Sequence, residues 1–288
     1  MYPIVYAFFA ADGALDRAAM RRQIRACVAN PAHGVAALGL ATEVGKLSAA
    51  EKRTIIEWVA QEVGAARPLA VTISGDSVDE QADLAAFAAA AGADWLILQP
   101  PRERDRPESH YFDFFAEVMA RTDLPCAIQN APEYLGVGLT PQAIARLALL
   151  RRNFVLLKGE GPAVRMREVI EANPGMAVFN GRGGLELPDN LRAGCAGMII
   201  GVDSFDWQAR AFDAWRRGDH GEADRLYAAL LPGVVFMMQS IDHLVCYGKR
   251  IAALRLGVDV HDRAPALAPT AFGLEAARRF AAALGPLA

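Results

Sequence analysis

The chain has 288 residues, 53% of them hydrophobic, which excludes a largely disordered protein and suits one large α/β barrel. A net charge of −3 without a long basic run argues against nucleic acid as a partner. The four cysteines and five histidines lack the spacing of a disulfide framework or a metal site. We therefore expect reduced thiols, no metal and no cofactor.

The first predicted element is the apolar run in "MYPIVYAFFAADG". No basic segment precedes this run, and it reaches Asp12 too soon to span a membrane. We interpret it as a first strand rather than a signal peptide. The expectation is a cytoplasmic protein that has no membrane partner.

Short apolar runs alternate along the chain with longer segments whose apolar residues recur at helical spacing. The predicted strands are residues 4–9, 34–39, 69–74, 95–99, 125–130, 154–158, 177–180 and 197–201. Ser48, followed three residues later by Glu51, has the pattern of a helix capping box. Continuously apolar strands joined by helices indicate a parallel sheet covered by those helices.

Eight strands are the number that a closed (β/α)8 TIM barrel requires, and this is the fold class that we predict. An open doubly wound sheet is the alternative, but it usually carries a glycine-rich phosphate turn after its first strand. The corresponding segment here, "AADGALD", lacks that pattern. Mostly helical patterns follow Gly201, so we predict a barrel over residues 1–205 and a C-terminal helical extension over 206–288, packed on the barrel.

Lys158 is the first candidate for chemistry, because it ends the apolar run of the sixth strand. A buried ammonium is costly unless it is paired or deprotonated. The lysine is therefore either a structural partner of Glu160 or an amine that attacks a ketone and forms a Schiff base. Side-chain alternation places Glu160 on the same side as Lys158, where it would pair with the ammonium or transfer protons.

Other candidates lie where neighbouring strands end, as expected for the active face of a barrel. Backbone N–H groups near Ala41 and Thr42, with the Thr42 hydroxyl, would cradle a carboxylate, although these residues alone favour an ordinary βα loop. Gln129 ends the fifth strand near the lysine and can orient a hydroxyl, but it cannot titrate. Three further candidates for substrate binding end the last two strands: Asn180, Gly181 and Ile200.

The segment "NGRGGLEL" resembles a glycine-rich anion loop, and barrels often hold phosphate after their last two strands. Short glycine loops are weak signals, and Arg182 alone does not make a phosphate clamp. A phosphate-binding barrel enzyme therefore stays open as a minor alternative.

Several motifs together resemble the dihydrodipicolinate synthase / N-acetylneuraminate lyase superfamily of class I aldolase-type barrels. "GVAALGLATEVGKLSAAEK" is similar to the family segment G-T-T-G-E-S-x-x-L-S-x-x-E. "LPCAIQNAPEYLGVGL" is similar to P-x-x-x-Y-N-x-P-x-x-x-G-x-x-L, and "FVLLKGEG" falls where the family carries its Schiff-base lysine. The resemblance implies a carboxylate-binding turn at Ala41 and Thr42, a Schiff base on Lys158, and a homotetramer.

Departures from the family pattern narrow the expected activity. Gln129 stands where the family has its proton-relay tyrosine, Tyr134 where the synthase has an arginine, and Ala41 where it has a second threonine. A true dihydrodipicolinate synthase is therefore not expected. The strand end "QNAP" and the glutamate of "LKGEG" resemble 2-keto-3-deoxyarabonate dehydratases of the same superfamily.

Our hypothesis from the sequence is a Schiff-base lyase that acts on a 2-keto-3-deoxy sugar acid, a 2-oxo acid, as a dehydratase. Lys158, Gln129 and Glu160 are the predicted catalytic residues. A pyruvate-dependent aldolase of the same superfamily is the first alternative. The second is a sugar-acid binding protein that has lost its acid/base relay.

Overall fold

Eight parallel strands close into a barrel in chain order, and β8 pairs with β1 to complete the ring. The structure is a computed structural model that describes residues 1–287. The predicted (β/α)8 TIM barrel is therefore confirmed. The strands are β1 (Tyr2–Ile4), β2 (Val35–Ala37), β3 (Leu69–Ile73), β4 (Trp95–Leu98), β5 (Cys126–Asn130), β6 (Phe154–Gly159), β7 (Ala177–Asn180) and β8 (Gly197–Gly201).

Helices surround the barrel and continue beyond its last strand. They are α1 (Arg17–Ala29), α2 (Ala49–Val63), α3 (Val78–Ala91), α4 (Glu108–Met119), α5 (Pro132–Leu135), α6 (Pro141–Leu150), α7 (Ala163–Ala172), α8 (Leu187–Ala193), α9 (Phe205–Arg216), α10 (His220–Met237), α11 (Ile241–His243), α12 (Lys249–Leu256) and α13 (Ala271–Leu284). A π-helical turn, Leu244–Gly248, joins α11 to α12.

Both faces of the barrel strands are buried, which explains why the strands read as continuous apolar runs. Every residue of β2, β3, β4 and β8 is buried. Side-chain caps start several helices: Ser48 and Glu51 form the predicted capping box on α2, and Ser77 caps α3.

The first strand differs from its prediction, because it begins at Tyr2 and already ends at Ile4. Side chains take over the hydrogen bonds of the next residues. The Val5 carbonyl accepts from the Thr42 hydroxyl, and the Tyr6 N–H donates to Gln23 Oε1. The apolar run to Phe9 therefore stays buried without remaining in the sheet.

The segment after β8 starts with α9, and α10 to α13 follow. A buried ion pair between Arg255 of α12 and Asp206 of α9 holds the two helices together. The predicted boundary between residues 205 and 206 falls at the start of α9, and a separate C-terminal unit stays a prediction.

Two further observations bear on metal and membrane chemistry. In residues 1–287, no group of three or more His, Cys, Asp or Glu side chains could hold a metal ion, and all four cysteines are free and buried. Within the same range, no single helix is long and apolar enough to cross a membrane. The stretches His220–Met237 and Ile241–Leu256 together have the length and composition of a membrane span, but a bend of 107° lies between them.

Candidate active site

Lys158 lies in the interior of the barrel, near the carboxyl end of β6. Its neighbours in register are Gln129 on β5 and Phe179 on β7. Only 3% of the residue is exposed, yet its side chain lines a cleft at the mouth of the barrel. The preceding Leu157 is fully buried. An amine in this place needs a partner, because an isolated buried charge is strongly disfavoured.

Glu160 is that partner. Its Oε1 atom lies 3.4 Å from Lys158 Nζ, and both side chains are almost fully buried. The Glu160 N–H donates to the Asn130 carbonyl at 3.0 Å, which continues the β5–β6 pairing past the end of the strand. The extended path expected from the sequence therefore places carboxylate and amine together. Such a pair can hold a proton close to whatever the amine binds.

Two glutamine side chains extend this pair into a buried chain of hydrogen bonds. Gln129 Nε2 donates to Glu160 Oε2 at 2.7 Å. Gln129 Oε1 accepts from Gln99 Nε2 at 2.8 Å. The Gln129 side chain thus binds the Glu160 carboxylate directly, and that carboxylate connects it to the Lys158 amine. In this arrangement an amide orients the carboxylate in a position where the sequence comparison expected a tyrosine.

The cleft above Lys158 combines apolar walls with a few polar groups. Its free volume is about 30 Å³, enough for one or two water molecules. Apolar walls come from β1, β8 and the helices after the barrel: Ile4, Ile199, Ile200, Met238, Ile241 and Leu244.

The predicted carboxylate-binding turn lies at this cleft, but its two residues differ in exposure. Ala41 lines the cleft, whereas Thr42 is fully buried behind it. The Thr42 hydroxyl donates to the Val5 carbonyl at 2.6 Å and accepts from the Gly39 N–H at 3.1 Å. This hydroxyl therefore fixes the turn to β1, and it would have to leave Val5 to reach a ligand.

Glu43 anchors the same turn through its side chain. Its carboxylate forms ion pairs with Lys249 and Lys46. Lys249 is fully buried at the start of α12, and its ammonium lies 5.3 Å from the centre of the Phe9 ring. Burial lowers the pKa of Lys249, and Glu43 acts in the opposite direction. The helices beyond the barrel are thereby tied to the loop after β2.

The residues at the ends of β7 and β8 divide in a similar way. Ile200 lines the cleft. Asn180 is fully buried, where its amide donates to the Gly161 carbonyl and to Asn190, and its oxygen accepts from the Gly181 N–H. Gly181 packs directly against the Glu160 carboxylate. Of the five residues predicted to bind substrate, Ala41 and Ile200 face the cleft, and the other three support its walls.

Tyr134 and Arg182 add a second polar group to the cleft. Burial raises the pKa of the Tyr134 phenol, and its hydrogen bond to Arg182 acts in the opposite direction. Arg182 also pairs with Glu186 at 2.9 Å. From the sequence, Arg182 was considered only as a phosphate ligand, and Tyr134 only as a departure from the family pattern. Gln99 was not predicted, although it is a polar residue at the end of β4, and polar residues at the ends of other strands were chosen as candidates.

A profile of the Dihydrodipicolinate synthetase family matches residues 1–275. The chain belongs to this family. The resemblance found in the motifs is thereby confirmed. The match includes Lys158 and the whole of its hydrogen-bonded chain.

The names of the relatives of this chain state different reactions. The L-2-keto-3-deoxyarabonate dehydratase of Azospirillum brasilense is 30% identical over 244 residues, which cover 81% of this chain and 77% of that protein. The "Probable 2-dehydro-3-deoxy-D-pentonate aldolase YjhH" of Escherichia coli K12 is 27% identical over 261 residues, covering 88% and 86%. Members of the family include aldolases, dehydratases and synthases, all of them lyases.

Solved structures agree on the fold of this family member. YagE of Escherichia coli K12, whose structure was determined in complex with pyruvate, superposes with a TM-score of 0.89 at 24% identity. The superposition covers 99% of this chain and 98% of YagE. At this identity the likeness establishes the barrel and its C-terminal helices.

Proposed function

We propose that the protein is a Schiff-base-forming lyase that removes water from a 2-keto-3-deoxy sugar acid. The observation that carries this proposal is the 3.4 Å contact between Lys158 Nζ and Glu160 Oε1 in a cleft at the mouth of the barrel. It supplies one nucleophilic amine and one titratable oxygen at the same place. These are the two groups that a Schiff-base dehydration needs.

The reaction begins when the uncharged amine of Lys158 attacks the C2 carbonyl of the substrate. Loss of the carbonyl oxygen as water leaves an iminium ion joined to the enzyme. The iminium acidifies the C3 protons, and the Glu160 carboxylate takes one of them to give an enamine. The enamine then expels the C4 hydroxyl, which leaves as water with the proton from Glu160. With a 2-keto-3-deoxypentonate, the unsaturated iminium then loses a proton from C5 and gains one at C3, which gives a C4–C5 enol. Ketonisation of this enol to the C5 aldehyde and hydrolysis of the iminium free Lys158 and release 2-oxoglutarate semialdehyde.

The rest of the site holds the substrate in register with these two groups. In the proposal, the backbone N–H of Ala41, which lines the cleft, binds the substrate carboxylate. The Thr42 N–H donates to the Gly39 carbonyl at 3.0 Å and would have to leave it to join this contact. Gln129 keeps the Glu160 carboxylate directed toward Lys158 through its 2.7 Å hydrogen bond. Ile200, Gly181 and Asn180 shape the wall against which C3 and C4 lie.

A single carboxylate beside the lysine can take the C3 proton and return it to the C4 hydroxyl, as dehydration requires. The same carboxylate can also take the C4 hydroxyl proton, as carbon–carbon cleavage requires. We choose dehydration because of the motifs that resemble the dehydratases. The similarity to the dehydratase of Azospirillum brasilense supports this choice. The aldolase stays the second candidate, because the pentonate aldolase relative aligns over 88% of this chain.

Product analysis tests the proposal directly. The wild-type protein is incubated with 2-keto-3-deoxypentonates, and 2-oxoglutarate semialdehyde and pyruvate are both assayed. Semialdehyde without pyruvate supports the dehydratase, whereas pyruvate together with an aldehyde identifies the aldolase.

Borohydride trapping tests the covalent step separately. Pyruvate plus sodium borohydride should leave a reduced adduct on the wild-type chain, located at Lys158 by peptide mass spectrometry. The Lys158→Ala variant should give none. Reversible pyruvate binding without an adduct on the wild type would instead indicate a sugar-acid binding protein.

A homotetramer forms part of the same proposal, since the resemblance to the family implies it. Light scattering after size exclusion should give four times the mass of the chain. A monomeric mass would remove this part and leave the chemistry at Lys158 unaffected.

A further inference from the structure

Two hydrogen bonds fix the backbone of Gln99. It directly follows β4 and is only 6% exposed. Its N–H donates to the Ile73 carbonyl at 2.9 Å, and its own carbonyl accepts from Gln81 Nε2 at 2.8 Å. From this fixed backbone the buried side chain extends to Gln129, and its Nε2 donates to Gln129 Oε1 at 2.8 Å.

The amide groups of Gln99 and Gln129 then have a fixed polarity. Gln99 Nε2 donates to Gln129 Oε1, and this leaves the Gln129 NH2 group to donate to Glu160. If the Gln129 amide turned over, its oxygen would face the Glu160 carboxylate, and its NH2 group would face the NH2 group of Gln99. Both contacts would be repulsive, because each would pair two acceptors or two donors.

We propose that Gln99 is a positioning residue, which sets the orientation of the Gln129 amide and thereby keeps the Glu160 carboxylate beside Lys158. This inference rests on the proposed function, in which Glu160 transfers the C3 proton. A hydrogen bond to a carboxylate stabilises its ionised form. Gln99 therefore acts on the group that must be ionised to accept that proton, without touching the substrate.

Two substitutions at position 99 separate this role from packing. Gln99→Met keeps a side chain of similar length but removes the donor. Gln99→Glu keeps the shape and replaces the donor with acceptors, so that the NH2 group of Gln129 turns toward residue 99 and its oxygen toward Glu160. We expect the glutamate variant to be the more impaired of the two, although it is closer in shape to the wild type.

Deuterium exchange of pyruvate measures the proton transfer without knowledge of the natural substrate. Pyruvate bound to Lys158 as an iminium loses a methyl proton to Glu160, and return of a deuteron from D2O labels the methyl group. Proton NMR follows the exchange rate across pH. Gln99→Met should slow exchange about tenfold and Gln99→Glu about a hundredfold, corresponding to one and two factors of ten.

The pH profile distinguishes a positioning role from a general loss of structure. When the Gln129 NH2 group is no longer held toward Glu160, the ionised carboxylate is less stabilised, so the acidic limb of the exchange profile should move to higher pH. Borohydride trapping on Lys158 should be unchanged in both variants. Gln61→Met, at an exposed glutamine of α2, serves as the matched control and should behave as wild type.

A double-mutant cycle completes the test. If Gln99 acts through Gln129, Gln99→Met should add nothing in a Gln129→Met background. Additive losses, or wild-type exchange with an unmoved acidic limb in the Gln99 variants, would overturn the inference while the adduct on Lys158 keeps the proposed function. A wild-type protein with neither adduct nor exchange would remove both. Gln99→Glu carries the comparison if the methionine variant folds poorly.

Discussion

Gly181 and Glu160 touch so closely that no side chain fits between them. A Cβ atom at position 181 would lie 2.1 Å from Glu160 Oε1, the oxygen that faces Lys158 Nζ. The loop after β7 therefore limits where the carboxylate of the β6 segment can lie. A glycine at 181 allows this close approach, because any larger residue would push the carboxylate aside.

Gly181→Ala should displace the Glu160 carboxylate and lower kcat at least tenfold, while KM changes little. The added methyl has no space, so the carboxylate must move away from Lys158. Steady-state kinetics and a thermal melt check the prediction. Gly221→Ala is the matched control: it lies in α10, has its nearest neighbour at 3.9 Å, and should leave kcat unchanged. Equal kcat values for both variants would contradict the contact.

Glu160→Gln should lower kcat by a factor of about 100 to 10,000, the usual contribution of a general acid or base. The amide keeps the size of the side chain but cannot carry the C3 proton. Pyruvate should still form a borohydride-reducible adduct on Lys158, because the amine is untouched. Glu168→Gln, which removes an exposed partner of Arg165, is the control. Full activity in Glu160→Gln would transfer the proton step to another group.

Lys249→Met should lower the free energy of unfolding by about 3 kcal/mol, because it leaves the buried Glu43 carboxylate without its fully buried partner. Urea unfolding followed by circular dichroism measures the loss. The double variant Glu43→Gln/Lys249→Met should recover part of it, since no buried charge then remains unpaired. Arg225→Met, at an exposed pair with Glu222, should leave the midpoint unchanged.

Glu51→Gln should remove an acid-sensitive contribution to stability. Two hydrogen bonds from Arg263 hold the pKa of Glu51 below its ordinary value of 4.5. A lowered carboxyl pKa stabilises the fold above pH about 4.5, and this stabilisation disappears as pH falls through the folded-state pKa. At pH 7 the variant should be about 1 kcal/mol less stable than the wild type.

The difference between Glu51→Gln and wild type should shrink toward zero near pH 3, as measured by thermal melts in a pH series. Glu57→Gln, an exposed position on the same helix, should show no such dependence. A gap that stays constant from pH 7 to pH 3 would mean that helix capping alone, without the charge, accounts for the contact.

Most of the barrel could be predicted from the sequence, because a strand buried on both faces leaves a continuous apolar run. The run ending in Lys158 located both β6 and the amine. The register of side chains along an extended path also placed Glu160 beside it. These inferences hold because they depend only on local geometry and on burial.

Other features depend on partners that are distant in sequence. The Val5 N–H still donates to the Ala36 carbonyl of β2, but the Val5 carbonyl and the Tyr6 N–H bond to side chains of Thr42 and Gln23, which no local pattern reveals. The same contact turns the Thr42 hydroxyl away from the cleft. The role of Gln99 could be recognised only after the structure placed the ends of β4, β5 and β6 next to each other. The directions of the hydrogen bonds between the amide groups therefore could not be predicted from the sequence and required the structure.

The roof of the cleft is made by Met238, Ile241 and Leu244, which the chain adds after the eighth strand is complete. The Lys158–Glu160 pair and the residues that cover the cleft thus come from different stretches of polypeptide, and each can vary without the other. Exchange of residues 238–244 between relatives offers a route to altered substrate choice in which the amine and its carboxylate stay untouched. A chain that stopped after β8 would therefore lack the three residues that line the cleft from beyond the barrel, and Lys158 would lose part of its apolar surroundings.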